Sequence, residues 1–82
     1  MSKLPKWFDG EIYDKGDIVT NPFSGEDFEL NNEELSMYDL ILGIDYVCGK
    51  LGHWPDKYIR LHQKGLTWFR TNNSNAYMVL LD

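Results

Sequence analysis

The feature that most constrains the fold is a turn signal in the first third of the chain, where residues 21–26 read NPFSGE. Asn21 suits the first position of a type I turn, and Pro22 presets φ for the second. Gly25 can adopt the positive φ that a bulged hairpin requires. We therefore expect an antiparallel hairpin with strands at 17–20 and 27–30. A lone hairpin is marginal in water, so its apolar face needs helices to pack on.

A long helix is expected directly after the hairpin. Asn31 and Glu34 have the spacing of a capping box, which satisfies two N–H groups at a helix start. We expect the helix to end near Gly49 and Gly52. Apolar residues recur at three- and four-residue steps between these points, as they do on the core-facing stripe of a helix. The stripe consists of Met37, Leu40, Ile41, Ile44, Val47, Cys48 and Leu51, and is widened by Leu35, Tyr38 and Leu42.

The last third predicts a second helix and a short final element. Pro55 fits the first turn of the second helix, and Gly65 inside it indicates a close backbone approach. We expect a short C-terminal helix capped by Ser74 or Asn75, with a strand at 77–81 as the alternative. The fold class is therefore α+β, with an N-terminal β-hairpin region packed on two main helices plus a short C-terminal helix.

The length and composition predict one small globular domain over residues 1–82. Cys48 is the one cysteine, so the chain is not a disulfide scaffold and fits a reducing compartment. Residues 1–8 lack the apolar core of a secretory signal. No run approaches the ~20 apolar residues of a membrane helix. We expect no membrane association.

Charge is divided sharply along the chain, whose net charge is -5. Residues 9–45 hold eleven acids and one base, whereas residues 46–81 hold five bases and one acid. The two parts are either solvated faces of little energetic consequence, or complementary faces that meet within the fold or between copies. The overall acidity argues against a role in which most of the surface contacts phosphates.

Several blocks of the sequence resemble one family. They are residues 4–8 (LPKWF), 13–17 (YDKGD), 19–26 (VTNPFSGE), 34–39 (ELSMYD) and 68–73 (WFRTNN), followed by residues 76–82. The chain resembles small proteins encoded by tailed phages of marine cyanobacteria, over most of its length except residues 47–62. The resemblance implies a viral protein that acts in the cytoplasm of an infected host cell or in a virion. It carries over no site residues.

Catalytic and metal sites are not indicated. Cys48 lies on the apolar stripe, where a thiol stays protonated and inert. His53, Asp56 and His62 add possible ligands, but the paired short spacings of a structural zinc site are absent from the sequence. We therefore expect no enzyme activity, no metal and no cofactor.

Binding is the function class that the sequence favours, and three alternatives stay open. The three tryptophans and five tyrosines suggest interface anchors, so we expect a protein partner, from phage or host, at Trp7, Phe8 and Trp54. Trp7 and Phe8 are either a packed lid on the hairpin or an exposed anchor. The second alternative is a virion or assembly component that acts as an oligomer. The third is weak nucleic-acid binding through a basic patch on the second helix, formed by Lys57, Arg60, Lys64 and Arg70.

Overall fold

The computed structural model describes residues 4–8 and 10–81 of the chain. Two strands pair antiparallel, with Asp17 opposite Leu30 and Thr20 opposite Asp27, and three helices follow. The predicted α+β fold is confirmed, and the final element is a helix rather than the alternative strand. The elements are β1 (Asp17–Thr20), β2 (Asp27–Leu30), α1 (Asn32–Leu51), α2 (Asp56–Asn72) and α3 (Ser74–Leu80).

The hairpin turn forms as the sequence predicts. Gly25 has a φ of 77°, and its N–H donates to the carbonyl oxygen of Asn21 at 2.8 Å. The Asn21 side-chain oxygen accepts from the backbone N–H of Phe23 at 2.8 Å. Pro22 is exposed inside the turn. The Asn21 amide also donates to the carbonyl oxygen of Val79 at 2.8 Å, so one side chain both shapes the turn and ties it to α3.

The capping box at the start of α1 is also present. The Asn31 side chain accepts from the N–H of Glu34 at 2.8 Å, and the Glu34 carboxylate accepts from the N–H of Asn31 at 3.0 Å. The helix ends at Gly52, whose φ of 76° places it in the left-handed region, while Gly49 lies inside the helix. The later boundaries differ from the prediction by about one residue. Pro55 is the residue before α2, and the cap of α3 is Asn73.

The core lies where α1, α2, α3 and the second strand meet. Phe69 of α2 is fully buried among residues of these elements. The approach of α1 to α2 is close at Gly65, where an added Cβ would lie 3.0 Å from Cγ1 of Ile41. The glycine therefore makes room for Ile41, as the sequence indicated. The buried core residues are Leu30, Met37, Tyr38, Ile41, Phe69, Ala76 and Leu80.

The apolar stripe of α1 is only partly buried, which corrects the prediction. Ile44 and Cys48 are buried, whereas Leu42 is 41% exposed, Val47 39% and Leu51 50%. The spacing marks a helix that is apolar over a wide arc, and the rest of the chain covers only part of that arc. Among residues 4–8 and 10–81, no helix combines the length and apolarity needed to cross a bilayer.

Candidate binding surface

A short turn before the hairpin positions Trp7 against α2. The N–H of Phe8 donates to the carbonyl oxygen of Pro5 at 3.0 Å. Leu4, Trp7 and Phe8 are half-buried and pack against the edge of the core. The turn is therefore anchored on both sides of Trp7, which fixes the indole at the surface of α2.

An open apolar groove of about 490 Å³ lies between Trp7 and α2. The α2 residues that line it are spaced at three- and four-residue steps, and so project from one face of the helix. Trp68 forms part of the lining and contacts Phe69 edge-on, with 6.3 Å between ring centroids. Two indoles thus border one groove, and we call it the Trp7 groove. Its lining residues are Trp7, Arg60, Gln63, Lys64, Thr67 and Trp68.

Basic side chains lie near the indole of Trp7. Lys64 Nζ lies 5.9 Å from the ring centroid, within range of a cation–π interaction. Arg60 borders the groove, and also a second depression of about 360 Å³, which Lys57 borders as well. No carboxylate lines either depression among the described residues. The surface combines an apolar aromatic centre with a positive rim, an arrangement typical of binding hot spots.

The predicted basic patch is divided by the fold. Lys57, Arg60 and Lys64 come together around Trp7, as the spacing on α2 indicated. Arg70 instead lies over the ring of Tyr77 on α3, with 6.0 Å between its guanidinium carbon and the ring centroid. Two of the four predicted cations, Arg60 and Lys64, therefore line the Trp7 groove. Lys57 borders the neighbouring depression, with its Nζ 5.1 Å from the centroid of the Tyr58 ring.

Phe8 lies beneath the surface rather than at its centre. A Cβ placed on Gly10 would lie 3.1 Å from Phe8 Cζ and 3.4 Å from Leu40 Cδ1. The ring is therefore packed between the N-terminal segment and α1. Phe8 is therefore packed rather than an exposed anchor, but these contacts are with Gly10 and α1, whereas the lid alternative placed it on the hairpin. Trp7 has both properties, since it packs on the core and also lines the groove.

Trp54 lies apart from this groove. It is 41% exposed and meets the ring of His62 edge-on, with 5.1 Å between centroids. His62 Nε2 lies 2.9 Å from Asp45 Oδ1, an ion-pair distance without hydrogen-bond geometry. Trp54 therefore covers a contact between α1 and α2, and the three predicted aromatic anchors do not form one surface.

The residues considered as metal ligands or nucleophile do not form a site. Cys48 is 1% exposed, and burial, followed by the charge of Asp45, raises the pKa of its thiol above the ordinary value. His53 is exposed, with Nδ1 3.3 Å from the carbonyl oxygen of Leu51. Within the part of the chain that the structure describes, no three side chains of His, Cys, Asp or Glu are grouped to hold a metal ion.

Comparisons with protein-family models, curated proteins and solved structures found no match.

The groove itself was only partly predictable from the sequence. Arg60, Lys64 and Trp68 are four residues apart, which indicates a shared helix face. Gln63 and Thr67 lie at three- and four-residue steps from Arg60 and so belong to the same face. The docking of Trp7 on that face joins residues almost sixty positions apart, and no local pattern encodes it.

Proposed function

We propose that this chain is a non-catalytic protein-binding module, and that the Trp7 groove receives an acidic segment of the partner. The observation that carries the proposal is the pairing of Trp7 and Trp68 with Arg60 and Lys64 around one apolar groove. The proposed setting is an infected cell or a virion, and it rests on the sequence resemblance alone.

The chemistry of the groove defines the segment that fits. An aromatic or aliphatic side chain would enter between Trp7 and α2 and bury apolar surface there. Carboxylates beside it would meet Lys57, Arg60 and Lys64. Complementary charge acts mainly on encounter rate and register, so the apolar anchor supplies most of the affinity. Such anchors in well-packed pockets contribute about 2 kcal/mol or more each.

Single-stranded nucleic acid is the competing ligand, because bases stack on tryptophan and phosphates bind cations. The acidic part of the chain disfavours an extended nucleic-acid strand more than a short acidic peptide. Only five bases lie in residues 46–81, and eleven acids lie in residues 9–45. A peptide needs to contact the groove alone, whereas a strand that continues past the groove carries a phosphate at every nucleotide and is repelled by the acidic part.

A direct comparison of two probes tests the assignment. The first probe is a panel of short acidic peptides, each with one central aromatic or aliphatic residue, and the second is a short oligothymidylate. The proposal predicts that at least one peptide binds more tightly than the oligothymidylate at physiological salt, and that Lys64→Glu weakens it. Lys15→Glu is the matched control, because Lys15 is exposed near the hairpin and does not line the groove. Preference for the oligothymidylate, with a steep salt dependence, would assign the groove to nucleic acid instead.

A further inference from the structure

The exposed side of α1 is a second apolar surface, separate from the Trp7 groove. Besides Leu42 and Val47 it includes Tyr46, which is 67% exposed. The apolar arc of a helix normally faces a core or a partner. The described part of the chain buries the side of α1 that holds Met37, Ile41, Ile44 and Cys48, and Phe8 and Gly10 lie beside Leu40 at its margin. The opposite side therefore presents exposed apolar side chains that the described residues do not bury.

The centre of this surface has the spacing of a helix–helix contact. Asp39, Gly43, Tyr46 and Lys50 follow one another at steps of four, three and four, and all four are exposed. This spacing places them in one straight line along the helix, as in the seam of a coiled coil. Leu42 and Val47 flank the line on either side. We call these four residues the α1 seam.

No contact with the residues that the structure describes requires a glycine at position 43. Gly43 lies in the interior of an exposed helical stretch, where glycine is less favourable than alanine by about 1 kcal/mol. Among residues 4–8 and 10–81, a Cβ added there would have no neighbour within 4 Å, unlike the Cβ at Gly65, which Ile41 would crowd. A close approach by another molecule would account for a glycine at this position, because it leaves a notch in the seam.

Two copies of the seam that run in opposite directions place complementary residues opposite each other. The midpoint between positions 39 and 50 is also the midpoint between positions 43 and 46. In an antiparallel pair related by a two-fold axis at that midpoint, Asp39 faces Lys50 of the partner subunit and Gly43 faces Tyr46 of the partner subunit. Each charged side chain then faces a charge of opposite sign, and each tyrosine ring faces the notch left by a glycine. A parallel pair would instead place like charges together.

Other charges near the seam also favour the antiparallel orientation of the two helices. Asp39 lies beside Glu11 and the hydroxyl of Tyr13, and both carboxylates contribute, after burial, to raising the pKa of that hydroxyl. The first end of the seam therefore has two carboxylates. At the other end, Lys50 Nζ lies 5.5 Å from the centroid of its own Tyr46 ring. Lys50 is exposed and within reach of a facing carboxylate.

We propose that two copies of this chain associate through the α1 seam, antiparallel and with two-fold symmetry. The line from Asp39 to Lys50 is only about 17 Å long at the rise of an α-helix. The contact therefore belongs at the small end of protein interfaces. We expect a reversible dimer with a dissociation constant on the order of 10–100 µM. This inference is independent of the Trp7 groove, which uses other residues.

A charge exchange between two variants tests the symmetry of the contact. Asp39→Lys and Lys50→Glu each place like charges at both ends of the dimer, so each should weaken dimerisation about tenfold or more at low salt. Mixing the two variants should restore it, because the mixed dimer has opposite charges at both ends. The two positions are too far apart on one helix to contact each other within a subunit. Glu29→Lys, an exposed change on the hairpin, is the matched control and should leave dimerisation unchanged.

A second variant separates association from folding. Gly43→Leu replaces an exposed helical glycine with a better helix former, so it should raise the thermal stability of the monomer. It also fills the notch that receives the partner subunit's Tyr46, so it should abolish the dimer. Sedimentation equilibrium of the full chain over about 5–500 µM, a range set to bracket the expected dissociation constant, gives the readout. Wild-type protein that stays monomeric throughout, or a mixture that associates no better than its two components, would overturn the proposal.

Discussion

The amide of Asn73 donates to the carboxylate of Glu34 at 2.9 Å, and this one contact joins the starts of two helices. The other Glu34 oxygen completes the capping box of α1. The side-chain oxygen of Asn73, Oδ1, accepts from the N–H of Ala76 at 3.1 Å and caps α3. Because both side chains are fully engaged, α1 and α3 are positioned together, and they hold β2 between them.

Glu34→Ala should therefore cost more than the loss of a single cap. It removes the acceptor for the N–H of Asn31 and leaves Asn73 without its partner, so we expect a loss of about 1–2 kcal/mol in the free energy of unfolding. Glu34→Gln retains an oxygen for the capping box and should cost less. Urea denaturation measures both. Equal stability of all three proteins would show that the contact between the helix starts has no energetic role.

Gly65→Ala should destabilise the protein, although alanine is the better helix former. The new Cβ would lie 3.0 Å from Ile41 Cγ1 and 3.5 Å from Met37 Sδ, both in the core. Overpacking of this kind costs about 1–3 kcal/mol, which exceeds the gain in helix propensity. Gly49→Ala is the control, because its added Cβ has no neighbour within 4 Å in the described part of the chain, and it should stabilise by up to about 1 kcal/mol. Thermal melts in which Gly65→Ala matches Gly49→Ala would contradict the close packing.

Gly25→Val should destabilise through the backbone alone. No described residue lies within 4 Å of a Cβ at this position, but the φ of 77° disfavours a β-branched residue. We expect a cost of about 1–2 kcal/mol. Gly25→Asn should cost less, because asparagine tolerates this region. If urea denaturation finds valine and asparagine equivalent, the turn must tolerate another conformation.

Alkaline pH should lower stability, because burial raises the pKa of both Cys48 and Tyr38 above their ordinary values. Groups whose pKa is raised by folding stabilise the protein fully below their ordinary pKa. That stabilisation is lost as the pH rises through the raised values, so for the thiol the decline begins near its ordinary value of 9.0. Cys48→Ala should remove part of the decline. A free energy of unfolding that stays constant from about pH 8 to 11 would contradict this burial.

Cys48 should also react slowly with thiol reagents in the native protein, and faster in denaturant. Its side chain is 1% exposed, so labelling requires opening of the fold. Cys48→Ser should cost about 1–3 kcal/mol, because a hydroxyl would enter an apolar site. Native labelling at the denatured rate would show that the thiol is accessible.

The parts of the fold that the sequence predicts are those with local causes. Gly25 and the pair Asn31 and Glu34 act through backbone groups within a few residues, so their patterns specify the turn and the cap directly. The exposure of Leu42 and Val47 was not predictable in this way. Helical periodicity reports which side chains share a stripe, but not how much of the stripe a small chain can cover. The docking of Trp7 beside Lys64 depends on the assembled core, and therefore appears only in the structure.

The central claim is that Trp7 is the anchor point of a peptide-binding groove, and calorimetric titration of the best acidic peptide tests it most directly. Trp7→Ala removes one wall of the groove and should weaken binding about thirtyfold, the equivalent of about 2 kcal/mol. Phe23→Ala is the matched control, because Phe23 is 98% exposed on the hairpin turn and should change the affinity less than about twofold. Circular dichroism of both variants shows whether the fold is retained. Equal affinities of the folded Trp7→Ala variant and the wild type would contradict the account.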